Sequence, residues 1–142
     1  MKTSPTQRTL AFLRAAGHTV AITEKWNQFS KTRQDLFGFL DLVALHPGDK
    51  GVLGVQTTSG TNHAARLTKL LAIPAAKLWV ETGNRLWVMS WSKCGARGKR
   101  KLWTPRIEKV EIGQFSEGIR HVSEDADTAW NKEVAEYYGA KP

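Results

Sequence analysis

Two β-rich apolar runs in the middle of the chain, residues 39–45 and 52–58, flank a short stretch containing Pro47, Gly48, Asp49 and Gly51. Runs of this length, bounded by proline and glycine, pair most simply as an antiparallel hairpin. A hairpin with apolar faces needs covering layers, and the neighbouring segments offer them. Ser4 followed by Pro5, with Leu10, Phe12 and Leu13 ahead of Gly17, predicts a first helix with a serine cap, an initial proline and a glycine stop. Residues 18–22 alternate as a strand, and 32–45 run into the first strand of the hairpin. Residues 59–62 offer caps to a short helix over 63–72, which Pro74 must end. Residues 77–81 and 85–91, on either side of Thr82, Gly83 and Asn84, read as a second strand pair. Residues 102–107 and 110–112 continue the sheet, and Ser123 caps a C-terminal helix with Ala126, Ala129, Trp130 and Val134 on one stripe. The class is mixed α/β.

One domain accounts for the 142 residues, with a main body over 1–112 and a helical extension over 113–142. Charge divides at the same place. The body carries 18 Lys/Arg against 7 Asp/Glu, net +11, and the extension 3 against 6, net −3. A body so basic attracts polyanions, DNA or RNA first. The single cysteine, Cys94, excludes an internal disulfide and a cysteine-rich zinc site, which suits a reducing cytoplasm. No apolar run reaches the ~18–20 residues needed to cross a bilayer, so no membrane role is expected. Arginines interrupt the apolar N-terminal stretch, so it does not read as a secretory signal.

Only four acidic residues occur in the first 80 positions: Glu24, Asp35, Asp41 and Asp49. Asp49 is ordinary turn chemistry. Asp41 interrupts an apolar strand, where an unpaired carboxylate would cost several kcal/mol, and Gln56 interrupts the partner strand fifteen positions later. Oxygens on adjacent strands can converge on one divalent cation.

At these residues the chain resembles the PD-(D/E)XK nuclease superfamily, and within it the Holliday-junction-resolvase-like branch common in phages and prophages. The resemblance implies a helix-strand-strand-strand-helix-strand, restriction-endonuclease-like core over residues 4–81, with extra strands and the C-terminal helix added. It places the metal-binding aspartate on Asp41, the second motif position on Gln56 and the motif lysine on Thr58, with the Thr57 carbonyl as a further ligand. Glu24 or Asp35 would fill the family's upstream acidic position. It further implies Mg²⁺ or Mn²⁺ as cofactor, branched or duplex DNA as substrate, and a homodimer. Two departures stand out: Thr58 has no ammonium, and Gln56 is neutral.

A rebuilt site would borrow Lys69, which shares a helix face with Arg66 three residues before it; the two read equally as a solvated helix face. Asp35 and Asp41 would stand about 20 Å apart on an extended strand, so shared ligation needs a bend at Gly38. Simple pairing of Asp35 with Arg33 or Lys31 is the plainer expectation. Glu24, beside Lys25, reads equally as an exposed charge at a strand end. Arg33, His63, Arg66, Arg97, Lys99, Arg100 and Lys101 are the expected DNA contacts, the last four in a basic loop. Trp79, Trp87 and Trp91 read as strand residues of the core; Trp26 and Trp103, beside basic segments, are candidates for stacking on unpaired bases, with packing the plainer expectation. Together these features predict a metal-dependent endodeoxyribonuclease. The alternatives are a catalytically silent DNA-binding module on the same scaffold, or a basic protein that binds an acidic partner.

Overall fold

A computed structural model describes residues 3–115. Among these residues the chain forms three α-helices, a mixed five-stranded sheet and a separate two-stranded ribbon. The mixed α/β class holds. Helix α1 (Pro5–Ala15) begins as the sequence predicts: Ser4 is extended, its hydroxyl accepts the Gln7 N–H at 3.2 Å, and Pro5 occupies the first turn. Strand β1 (Thr19–Ile22) follows. Strands β2 (Lys25–Asn27) and β3 (Thr32–Gln34) pair with each other as the ribbon. The central hairpin forms from β4 (Leu42–Leu45) and β5 (Leu53–Ser59), with Leu42 opposite Val55 and Ala44 opposite Leu53.

The sequence reading of 32–45 as one strand is corrected. Phe37 and Gly38 take φ values of 56° and 83°, a left-handed pair that suits glycine, and the chain turns back on itself there. The Leu40 N–H closes this turn on the Leu36 carbonyl at 3.0 Å.

Helix α2 (His63–Leu71) follows β5 through a short 3₁₀ turn, and no side chain of residues 59–62 caps it. Residues 77–81 are not a strand. They belong to helix α3 (Pro74–Glu81), which starts on Pro74 and buries Ala76 and Lys77. A short apolar run does not distinguish helix from strand by periodicity; topology decides here. Strand β6 (Arg85–Cys94) runs parallel to β5, with Arg85 opposite Leu53. The chain must therefore travel back along the whole sheet between residues 59 and 85, and a parallel pair needs such a crossover. Helices α2 and α3 make it. Strand β7 (Leu102–Lys109) completes the order β1-β4-β5-β6-β7; the Val110 N–H still bonds the Leu86 carbonyl at 2.8 Å, and the chain leaves the sheet after it. Helix α1, strands β1, β4 and β5, helix α2 and strand β6 thus occur in the order helix-strand-strand-strand-helix-strand, its last strand at 85–94.

The sheet separates two apolar layers. Leu10 and Leu13 of α1 pack on Val20, Leu42, Leu53, Val55 and Met89. On the other face Leu70 and Ala76 of the crossover helices pack on Phe39, Leu40, Leu86 and Val88. Burying each such side chain contributes about 1.5–3 kcal/mol, which makes the doubly covered strand β5 the anchor of the fold. Trp91 is buried and donates its indole N–H to Thr9 Oγ1 at 2.9 Å. Trp79 lies on α3 rather than a strand, donating to the Arg85 carbonyl at 2.8 Å, and Trp87 is half-buried. No helix among the described residues is long and apolar enough to cross a membrane. The expected C-terminal helix lies outside the described residues.

Candidate metal centre

The site forms where β4 and β5 meet the N-terminus of α1. The Asp41 N–H donates to the Val55 carbonyl at 3.0 Å, although Val55 is the residue opposite Leu42. Residues 41 and 42 therefore share one partner, a bulge-like offset that takes Asp41 out of the regular alternation. Its Oδ2 accepts the Thr57 N–H at 2.8 Å and lies 3.4 Å from the Thr57 hydroxyl. That hydroxyl also meets Thr6 Oγ1 of α1 at 3.0 Å. Thr6, a polar residue at helical spacing from Leu10 and Leu13 on α1, is the sequence signal for this contact.

Three carboxylates converge here. One oxygen each from Glu24, Asp35 and Asp41 lie within 4.8 Å of one another. Glu24 comes from the chain entering the ribbon, Asp35 from the chain leaving it, and Asp41 from the start of β4. The Gly38 turn brings Asp35 to Asp41, closing the ~20 Å that an extended strand would leave. The expected ion pair of Asp35 with Arg33 or Lys31 does not form. Arg33 Nη1 instead contacts Glu24 Oε1 at 2.9 Å, so Glu24 is an ion-paired, half-buried side chain rather than an exposed one. Burial is the main reason the Asp41 carboxyl is raised from 3.8 to about 8. The hydrogen bond to Asp35 and the charges of Asp35 and Glu24 push the same way, while the Thr57 N–H opposes them.

The carboxylates line a cavity of about 460 Å³ whose remaining wall carries Thr58, Arg66 and Lys69. Arg66 and Lys69 come from one face of α2, so three cations, with Arg33, surround three anions. Hard oxygen donors in this number suit Mg²⁺ or Mn²⁺. Ligands on opposite sides of a magnesium ion stand about 4 Å apart, so a small contraction would let all three oxygens share one ion.

Gln56 is outside this group. Side chains alternate along a strand, and Thr57 turns toward α1 to meet Asp41 and Thr6, so Gln56 faces the α2–α3 side. It is buried, does not line the cavity, and its Oε1 has no hydrogen-bond partner among the described residues. The expected convergence of Asp41 with Gln56 does not form; the side chains that meet Asp41 are Asp35 and Glu24. His63 is also not placed to contact a phosphate. It is 1% exposed, with Nδ1 2.6 Å from Ser90 Oγ and Nε2 3.0 Å from Glu108 Oε1, tying α2 to β6 and β7. Nothing in the sequence marked Ser90 or Glu108 as its partners. Arg97, Lys99, Arg100 and Lys101 lie exposed in the connection between β6 and β7 and do not line the cavity. Trp103 is 45% exposed, with the Arg8 guanidinium 3.9 Å from its ring centre. Comparison with protein-family models, with curated proteins and with solved structures finds no match to this chain.

Proposed function

We infer that the protein is a metal-dependent endodeoxyribonuclease acting on branched or otherwise structured DNA. The observation that carries this reading is the convergence of Glu24, Asp35 and Asp41 from three chain segments into one cavity walled by Arg66 and Lys69. Carboxylates brought this close repel one another unless a proton or a cation is shared among them, and the basic wall suits an incoming phosphodiester. The body's net charge of +11 and the exposed cations of residues 97–101 add long-range attraction for DNA. The likeness to PD-(D/E)XK nucleases supports the same reaction class through Asp41 and the strand order alone, since Gln56 lies outside the cavity and Thr58 has no ammonium.

Mg²⁺ or Mn²⁺, when bound, would supply a water of lowered pKa and offset charge on the phosphate. The chain's own residues do the rest. Glu24, Asp35 and Asp41 would hold the ion, with the Thr57 N–H orienting the Asp41 carboxylate. Arg33 fixes Glu24 from outside. Lys69, in the same cavity as Thr58, takes the place of the missing motif lysine and offsets charge developing at the phosphate. Arg66 grips a neighbouring phosphate oxygen. A resolvase-like enzyme would act as a homodimer, because a four-way junction presents two equivalent strands.

The test is cleavage of labelled four-way junction, flap and duplex DNA with Mg²⁺ or Mn²⁺. Wild type should cut, Asp41→Ala should not, and Lys69→Ala should lose about 100-fold in rate, the scale for removing one charge-stabilising donor. Thr58 favours a second reading, a silent DNA-binding module. That reading prevails if wild type and Asp41→Ala leave every substrate equally intact while both retard it on a gel. Binding that stays flat as salt rises would exclude DNA altogether, because phosphate neutralisation makes affinity fall steeply.

A further inference from the structure

The ribbon formed by β2 and β3 stands apart from the main sheet, and two of the three cavity carboxylates, Glu24 and Asp35, bracket it in sequence. Residues 25–34 contain Lys25, Lys31 and Arg33 and no acidic residue. Trp26 is 57% exposed and Phe29 fully exposed. Trp26 pairs with Arg33 across the ribbon. Together with Ile22, Glu24 and Lys25 they line a hollow of about 280 Å³. Glu24 and Arg33 belong to this hollow and to the carboxylate cavity as well, so their ion pair is the wall common to both.

We propose that the Trp26 hollow receives an unpaired nucleobase from the DNA strand whose phosphate lies at the carboxylates. The inference rests on the nuclease reading for the identity of the polymer, and adds that the strand must be unpaired beside the scissile phosphate. A large indole more than half exposed beside cations, with Ile22, among the described residues, the one apolar residue sharing its hollow, suits a flat aromatic partner that brings its own negative charge. A nucleotide has both features. An apolar peptide does not fit, because three of the five lining residues are charged. A second copy of the ribbon is disfavoured because its like charge would face Lys25, Lys31 and Arg33. A paired duplex exposes base edges but no free base face, so the hollow selects unpaired positions.

The test measures binding in EDTA, where no cleavage competes, by anisotropy of labelled single-stranded, gapped and fully paired DNA. Trp26→Ala should weaken binding of the single-stranded and gapped forms by about 5-fold or more, the lower end of what one stacked base contributes, and change the paired form less than about 2-fold. Trp26→Phe, which keeps a ring, should retain most of the preference. A 2-aminopurine at the unpaired position should be quenched by wild type and not by Trp26→Ala. Equal effects of Trp26→Ala on paired and unpaired DNA, or none on either, overturn the inference. So does a wild-type dimer that Trp26→Ala dissociates with DNA preference unchanged. The two readings separate cleanly: a Trp26-dependent preference without cleavage by wild type in Mg²⁺ sinks the chemistry alone. Cleavage with no role for Trp26 sinks the base hollow alone.

Discussion

Asparagine in place of Asp41 separates the chemistry of the carboxylate cluster from its packing. In the metal-free fold the Asp41 carboxyl is raised from 3.8 to about 8, by burial first and by Asp35 and Glu24 after it. The folded protein therefore keeps a proton that the unfolded chain has already released. Stability from this group is fully present below about pH 4 and is lost as pH climbs to about 8. At ~1.4 kcal/mol for each pH unit the ceiling is on the order of 6 kcal/mol. The cavity opens to solvent, and counter-ions reaching the cluster relieve part of the repulsion, leaving about 2–3 kcal/mol between pH 4 and 8.5. An asparagine amide fills the same space, accepts the Thr57 N–H and has no proton to lose. In EDTA, Asp41→Asn should match wild type near pH 4 and melt about 6–9 °C higher near pH 8.5, at ~3 °C per kcal/mol for a chain of this size. Excess Mn²⁺ should reverse the order at high pH, raising the wild-type melting temperature and leaving the variant almost unmoved. Calorimetric melts across pH, with and without Mn²⁺, make the measurement. Parallel melting profiles for the two proteins at every pH, or an equal Mn²⁺ effect on both, would refute the view that these carboxylates press on one another and share an ion.

Gly38→Val places a β-branched residue at a φ of 83°, so it should cost about 1–2 kcal/mol. It should also weaken Mn²⁺ stabilisation by freeing Asp35 from Asp41; a variant that melts lower yet binds Mn²⁺ unchanged would show that the turn does not position Asp35. His63→Ala removes the shared partner of Ser90 and Glu108. It should lower stability by about 2–4 kcal/mol, read by denaturant unfolding; a loss below ~0.5 kcal/mol would mean that the contacts carry no weight.

Much of the scaffold was legible in local sequence, because its signals are short-range. Ser4 and Pro5 start α1, the turn at 46–51 joins β4 to β5, and Pro74 interrupts the crossover, just where capping and turn chemistry place them. Asp41 was recognisable as a site residue because a carboxylate in an apolar strand requires a compensating partner. The identity of those partners was not legible. Residues 77–81 became a helix because β6 pairs in parallel with β5, a demand made by strands far apart in the chain. His63 was buried by Ser90 and Glu108, 27 and 45 residues away. Asp35 joined Asp41, and Gln56 did not, because a left-handed turn and an offset in strand register redirected side chains that simple alternation had assigned otherwise. Residue type and spacing settle which groups are available and which local elements form. Which groups face one another depends on register, crossover and turn geometry, and only the assembled fold fixes those.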